Sequence, residues 1–100
     1  MAVAMLLTGE LVTKENYEQL TRKMFGSYPM STEESPDGLI IHTAGATPDG
    51  WYVYDIWESK ESFERFLEQK LGPAVHELVG EGGPRPEPQF YEIEVLVRGR

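Results

Sequence analysis

Residues 39–58 read LIIHTAGATPDGWYVYDIWE, and this stretch narrows the fold more than any other. Two runs rich in β-branched and aromatic residues flank the turn sequence Thr47-Pro48-Asp49-Gly50. Proline presets the dihedral of an early turn position, and glycine can adopt a positive one. Two strands, Leu39 to Ala46 and Trp51 to Glu58, are therefore predicted to pair as an antiparallel hairpin. The second runs straight into Ser59, a helix N-cap, and then Phe63, Phe66, Leu67 and Leu71 recur on one helical face.

The remaining elements arrange themselves around this hairpin. Ala2 to Thr8 is a nearly unbroken apolar run, as expected of a central strand covered on both faces. It is too short to span a bilayer and lacks the basic lead of a signal peptide. Thr13 caps a helix predicted over 14–25, with Tyr17, Leu20, Met24 and Phe25 as its apolar stripe and Gly26 as its stop. The segment 27–37 is rich in proline, serine and acids and reads as a loop. A solvated connector is favoured there, with a lid or contact surface as the alternative. Glu33, Glu34 and Asp37 belong to that solvated loop and are not read as an acid–base pair. Gly72-Pro73 is expected to break the second helix and restart it in a new direction through Val79. GEGGPRPEP, 80–88, is a flexible loop, and the alternation of Tyr91, Ile93, Val95 and Val97 predicts a fourth strand over 89–99.

The order strand, helix, strand, strand, helix, strand is that of an α+β, ferredoxin-like βαββαβ domain spanning 1–100. It predicts a four-stranded antiparallel sheet with two helices on one face. The other face still carries apolar residues, so a second copy packed sheet to sheet, a homodimer, is expected.

The chain has 100 residues and a formal net charge of −8, which disfavours nucleic acid and anionic membrane surfaces as partners. It has no cysteine, which excludes disulfides and thiolate chemistry and fits a cytoplasmic location. No P-loop, dinucleotide fingerprint or serine nucleophile motif occurs, and two histidines without supporting carboxylate spacing make no metal motif.

Four residues are chemically suggestive, and each has a structural reading beside its functional one. Trp57, where strand meets helix, is expected to pin the core. Trp51, just after the turn, is placed at the border of an opening. His42 lies on a strand and depends on the hairpin register. A two-residue turn at Pro48-Asp49 sets it opposite Asp55, a carboxylate that would orient the imidazole. A type I turn with a bulge at Gly50 sets it opposite Ile56, on the face of Tyr54. The second register is preferred. His76 is a lone helical histidine, for which simple solvation is favoured.

The aromatic strand running into DIWESKESFERFL, with its S..SF..FL spacing, resembles the dimeric α/β-barrel superfamily, which includes the antibiotic-biosynthesis monooxygenases. The resemblance covers most of the chain. It implies a dimeric α/β barrel with a pocket between sheet and helices, and two activities. One is cofactor-free oxidation of polycyclic aromatic polyketides. The other is haem degradation, using a helical histidine, a strand-one asparagine and a helix-two tryptophan. His76 falls at that histidine position, but Phe66 occupies the tryptophan position and strand one has no asparagine. Haem degradation is therefore not expected, and haem binding stays an alternative.

The resulting expectation is a small-molecule enzyme, a cofactor-independent monooxygenase or cyclase, acting on a flat aromatic or polyketide-like ligand. His42, Tyr54 and Asp55 are its candidate catalytic residues, with His42 as base. Met5, Leu7, Trp51, Phe66 and His76 are its candidate ligand-binding residues, and no metal or cofactor is expected. The alternative is a non-catalytic ligand-binding or assembly dimer.

Overall fold

A computed structural model describes residues 1–80, 82–83 and 85–100. Residues 81 and 84 of the loop predicted over 80–88 lie outside the described residues. The elements are β1 (Val3–Leu7), α1 (Lys14–Phe25), β2 (Leu39–Thr47), β3 (Gly50–Trp57), α2 (Lys60–Phe66), α3 (Gly72–Val79) and β4 (Gln89–Glu92). The four strands form one antiparallel sheet in the order β2-β3-β1-β4. This is the ferredoxin-like α+β arrangement. No helix is long and apolar enough to cross a membrane, among the described residues.

Local chemistry sets the helix boundaries. The Thr13 hydroxyl accepts the Asn16 N–H, and Ser59 does the same for Ser62, so each helix starts on a satisfied cap. Gly26 takes a left-handed φ of 80° and returns its N–H to the Arg22 carbonyl, which ends α1.

Gly72-Pro73 does not interrupt the helical backbone, contrary to the expectation from sequence, although α3 does begin there and run through Val79. A π-helical turn, Leu67–Leu71, joins α2 to α3 with helical dihedrals on both sides. The wider turn lets the Gly72 N–H reach the Leu67 carbonyl, five residues back, and places proline in the first turn of α3. A Cβ at Gly72 would stand 2.6 Å from that carbonyl oxygen, so the close approach requires glycine.

The hairpin register also differs from the preferred expectation. Thr47 pairs with Gly50 and His42 with Asp55, so Pro48-Asp49 is a two-residue turn. A bulge at Gly50 of the expected kind needs glycine in the left-handed region, and Gly50 is not there. The irregularity sits at the far end of β2, between Leu39 and Ile41.

The fourth strand is shorter than its alternation suggests. It ends at Glu92, opposite Val3, and the Ile93 N–H makes one last bond to the Ala2 carbonyl. The β1–β4 ladder goes no further among the described residues. Val95, Leu96 and Val97 are left exposed.

The core lies between sheet and helices. Val3, Met5, Val53, Trp57 and Phe63 are buried together, with Leu39, Phe66, Leu71 and Phe90 packed around them. Trp57 is 1% exposed and meets Phe63 and Phe66 at ring distances of 5.5 and 5.7 Å. The other sheet face carries Ile41, Tyr54 and Tyr91, all exposed.

Candidate functional site

Side chains alternate across a strand, so one cross-strand row on the helix-facing side reads His42, Asp55, Met5, Phe90. In this row the His42 Nδ1 lies 2.7 Å from the Asp55 Oδ1. The second carboxylate oxygen accepts the Trp57 indole N–H at 3.2 Å. Asp55 is 4% exposed, and a carboxylate this buried needs such partners. A carboxylate only accepts, so in the neutral imidazole Nδ1 carries the proton and Nε2 is left to accept.

The group at Nε2 comes from α1. The Tyr17 Oη lies 2.6 Å from it, and the two rings are within 12° of parallel. Tyr17 is held by its neighbours, with Trp51 at 5.6 Å and Tyr28 at 5.9 Å between ring centroids. Burial, with Tyr28 and Asp55 as further negative influences, pushes its pKa up to about 12. Tyr17 is thus a neutral phenol and donates to Nε2. The assembled chain is Tyr17–His42–Asp55–Trp57.

Two cavities flank it between helices and sheet. The smaller, about 100 Å³, is bordered by Met5, Tyr17, Leu39, His42, Asp55 and Phe66, among others. Met30 and Pro36 of the 27–37 loop also border it. That loop therefore covers the cavity and is more than a solvated connector. It contains a short 3₁₀ turn, Thr32–Glu34, closed by a Ser31–Glu34 capping box, which engages one of the loop's acids locally. The larger cavity, about 410 Å³, is apolar for most of its wall and extends from Leu11 and Val12 to Arg85 and Pro88. Its volume is within the range of small-molecule sites.

The candidate residues separate by position. His42 and Asp55 come together, and Met5, Leu7 and Phe66 border the cavities. Tyr54 does not join them. It is 39% exposed on the opposite sheet face, because β3 residues of its parity point away from Asp55. Trp51 borders neither cavity and packs instead on Tyr17, with a buried indole N–H that has no partner among the described residues. His76 is exposed, accepts from the Arg85 guanidinium at 3.2 Å and borders neither cavity. Tyr17 itself is absent from the sequence reading except as a member of an apolar stripe. The available signal was its hydroxyl, which needs a partner when buried.

The architecture matches solved structures throughout its length. A proposed antibiotic biosynthesis monooxygenase of Deinococcus radiodurans superposes with a TM-score of 0.60 at 11% identity, over 100% of this chain and 99% of that one. SnoaB, a cofactor-independent oxygenase from Streptomyces nogalater, was solved as an asparagine-to-alanine variant. It superposes at 0.54 with 16% identity, over 98% and 96% of the two chains. The fold is that of the antibiotic-biosynthesis-monooxygenase-like proteins. An arginine-to-serine variant of MhuD, with two manganese protoporphyrins bound per active site, superposes at 0.53 with 18% identity, over 99% and 100%. No protein-family model matches the chain, and no curated protein sequence matches it.

The residues present do not fit a haem ligated from the helix. His76 points into neither cavity, and both ring nitrogens of His42 are engaged by Tyr17 and Asp55. No group of three His, Asp or Glu side chains is placed to hold a metal ion, among the described residues.

Proposed function

We propose that this chain is a small-molecule enzyme that removes a proton from a flat aromatic, polyketide-like ligand held between sheet and helices. One observation carries the reading: the His42 imidazole, oriented by the buried Asp55, borders an apolar cavity. Proton transfer to a positioned imidazole is efficient near neutral pH. The resulting anion is electron-rich and can react with dioxygen directly. Converting a CH₂ to a carbonyl consumes O₂ and releases water, with every electron supplied by the substrate, so the balance needs no cofactor. Ring closure or isomerisation would use the same base. Likeness of fold to a cofactor-independent oxygenase supports the oxygenase form of the reading. The working unit is a cytoplasmic homodimer in which a second copy covers Ile41, Tyr54 and Tyr91. Light scattering at micromolar concentration should give twice the chain mass, and a stable monomer would contradict the dimer.

Oxygen uptake with a panel of polycyclic hydroxyquinones and hydroxyanthrones tests the activity. With a turned-over substrate, His42→Ala should lower kcat by about 10²- to 10⁴-fold and change KM little. A variant as fast as the wild type removes His42 from the reaction.

A further inference from the structure

The imidazole assigned as base has no free nitrogen facing a ligand. Its Nδ1 is held by Asp55 and its Nε2 by the Tyr17 hydroxyl. Of the two cavities between helices and sheet, His42 and Asp55 border the smaller, about 100 Å³, and not the larger, while His42 also borders a pocket of about 230 Å³ beside Ser31 and Ile40. Six residues border both cavities, namely Leu7, Tyr17, Leu20, Val53, Phe63 and Leu71, and Tyr17 alone among them has a polar side chain. A ligand filling the larger cavity, about 410 Å³, therefore meets the His42–Asp55 pair through Tyr17 or not at all.

We propose that Tyr17 is the catalytic residue that contacts the ligand, and that a Tyr17–His42–Asp55 relay carries the ligand's proton away from the larger cavity. This rests on the proton-abstracting enzyme proposed above and changes which group performs the transfer. The ligand class is an apolar, flat molecule with an acidic O–H. Its proton passes to the Tyr17 Oη as the Tyr17 proton passes to the His42 Nε2. The ligand becomes an anion, Tyr17 ends as a neutral phenol, and His42 becomes an imidazolium beside the Asp55 carboxylate. One proton has moved from ligand to His42, and no oxidant or reductant is involved. A phenol with its pKa pushed up to about 12 suits this step, because it does not rest as phenolate and accepts a proton only while giving one up. The retained hydroxyl then donates to the ligand anion. In an apolar cavity without such a donor, the anion would be strongly disfavoured.

The test uses 1,2-dihydroxyanthraquinone, whose visible absorption band moves when it ionises, at a pH where the free dye is neutral. Dye bound to the wild type should show the anion band. Nitrogen-15 NMR should show His42 changing from one protonated ring nitrogen to two. Tyr17→Phe keeps the ring that packs on Trp51 and Tyr28, and should bind the dye with loss of the anion band. His42→Gln should lose it as well. An anion band that persists in Tyr17→Phe but vanishes in His42→Gln overturns the relay and leaves His42 as the direct base. Dye that does not bind the wild type, or binds it neutral, overturns the proton-abstracting reading and the relay with it. If Tyr17→Phe fails to fold, the wild-type NMR decides: a His42 that gains no second proton on dye binding overturns the relay.

Discussion

The chain has two histidines, and the fold treats them differently. His42, on β2, has both ring nitrogens engaged and only 24% of its side chain exposed. His76, on α3, lies exposed and accepts from the Arg85 guanidinium. Nothing in their immediate sequence neighbours separates them, since each has apolar residues and a hydroxyl or carboxylate close by. The separation comes from tertiary placement. A two-residue turn puts a buried carboxylate across the hairpin from His42, and α1 lays a tyrosine against it from the other side. An imidazole becomes chemically poised when its environment fixes the tautomer, and only one of the two has such an environment.

The largest effect should come from the floor beneath His42. Trp57 closes the core and also donates its indole N–H to Asp55. Trp57→Ala should lower stability by about 3–5 kcal/mol, measured by denaturant unfolding. A loss under about 1 kcal/mol would mean that the ring is not structural, and that Asp55 is held by something else.

Removing the charge of Asp55 comes next. Asp55→Asn keeps the shape and an acceptor for His42 but loses the charge-assisted bond. We expect a stability loss of about 1–3 kcal/mol, with the imidazole nitrogen resonances of His42 moving and those of His76 unchanged. Equal shifts at both histidines would erase the contrast between them.

The alkaline limb of stability gives a third test. In the unfolded chain Tyr17 ionises near pH 10. In the fold it holds its proton to about 12, so the folded state binds more protons between those values. Stability should therefore fall as pH rises above about 10, and that fall should be smaller in Tyr17→Phe. An identical alkaline profile for the two proteins would show that Tyr17 does not keep its proton in the fold.

The element order was legible because caps and periodicity are local. Thr13, Gly26 and Ser59 mark boundaries that the structure reproduces, and α1 spans the predicted residues. Three features were not local. The hairpin register turned on the dihedral of one glycine, and an irregularity at Leu39–Ile41 took the place of the expected bulge. The alternation of β4 continues past Glu92, but its ladder with β1 goes no further among the described residues. The largest omission was Tyr17, whose partner lies 25 residues away on another element. Counting tyrosine as apolar on a helix stripe hides its hydroxyl, and that hydroxyl joins the helix to the His42–Asp55 pair.

The smallest effect is expected at His76, and that smallness is informative. Its ring is exposed, its partner Arg85 is a long side chain that can return to water, and neither cavity includes it. Exposed polar contacts of this kind contribute little, so His76→Ala should change stability by no more than about 0.5 kcal/mol. The substitution also separates two uses of the fold. If haem added to the protein were ligated from α3, its Soret band would differ between wild type and His76→Ala. The geometry predicts identical spectra, because the exposed His76 imidazole borders neither cavity. The same substitution should leave the bound-dye anion band untouched, whereas His42→Gln abolishes it. A Soret difference at His76 would move the binding site to the helix and would invert the ranking of the two histidines.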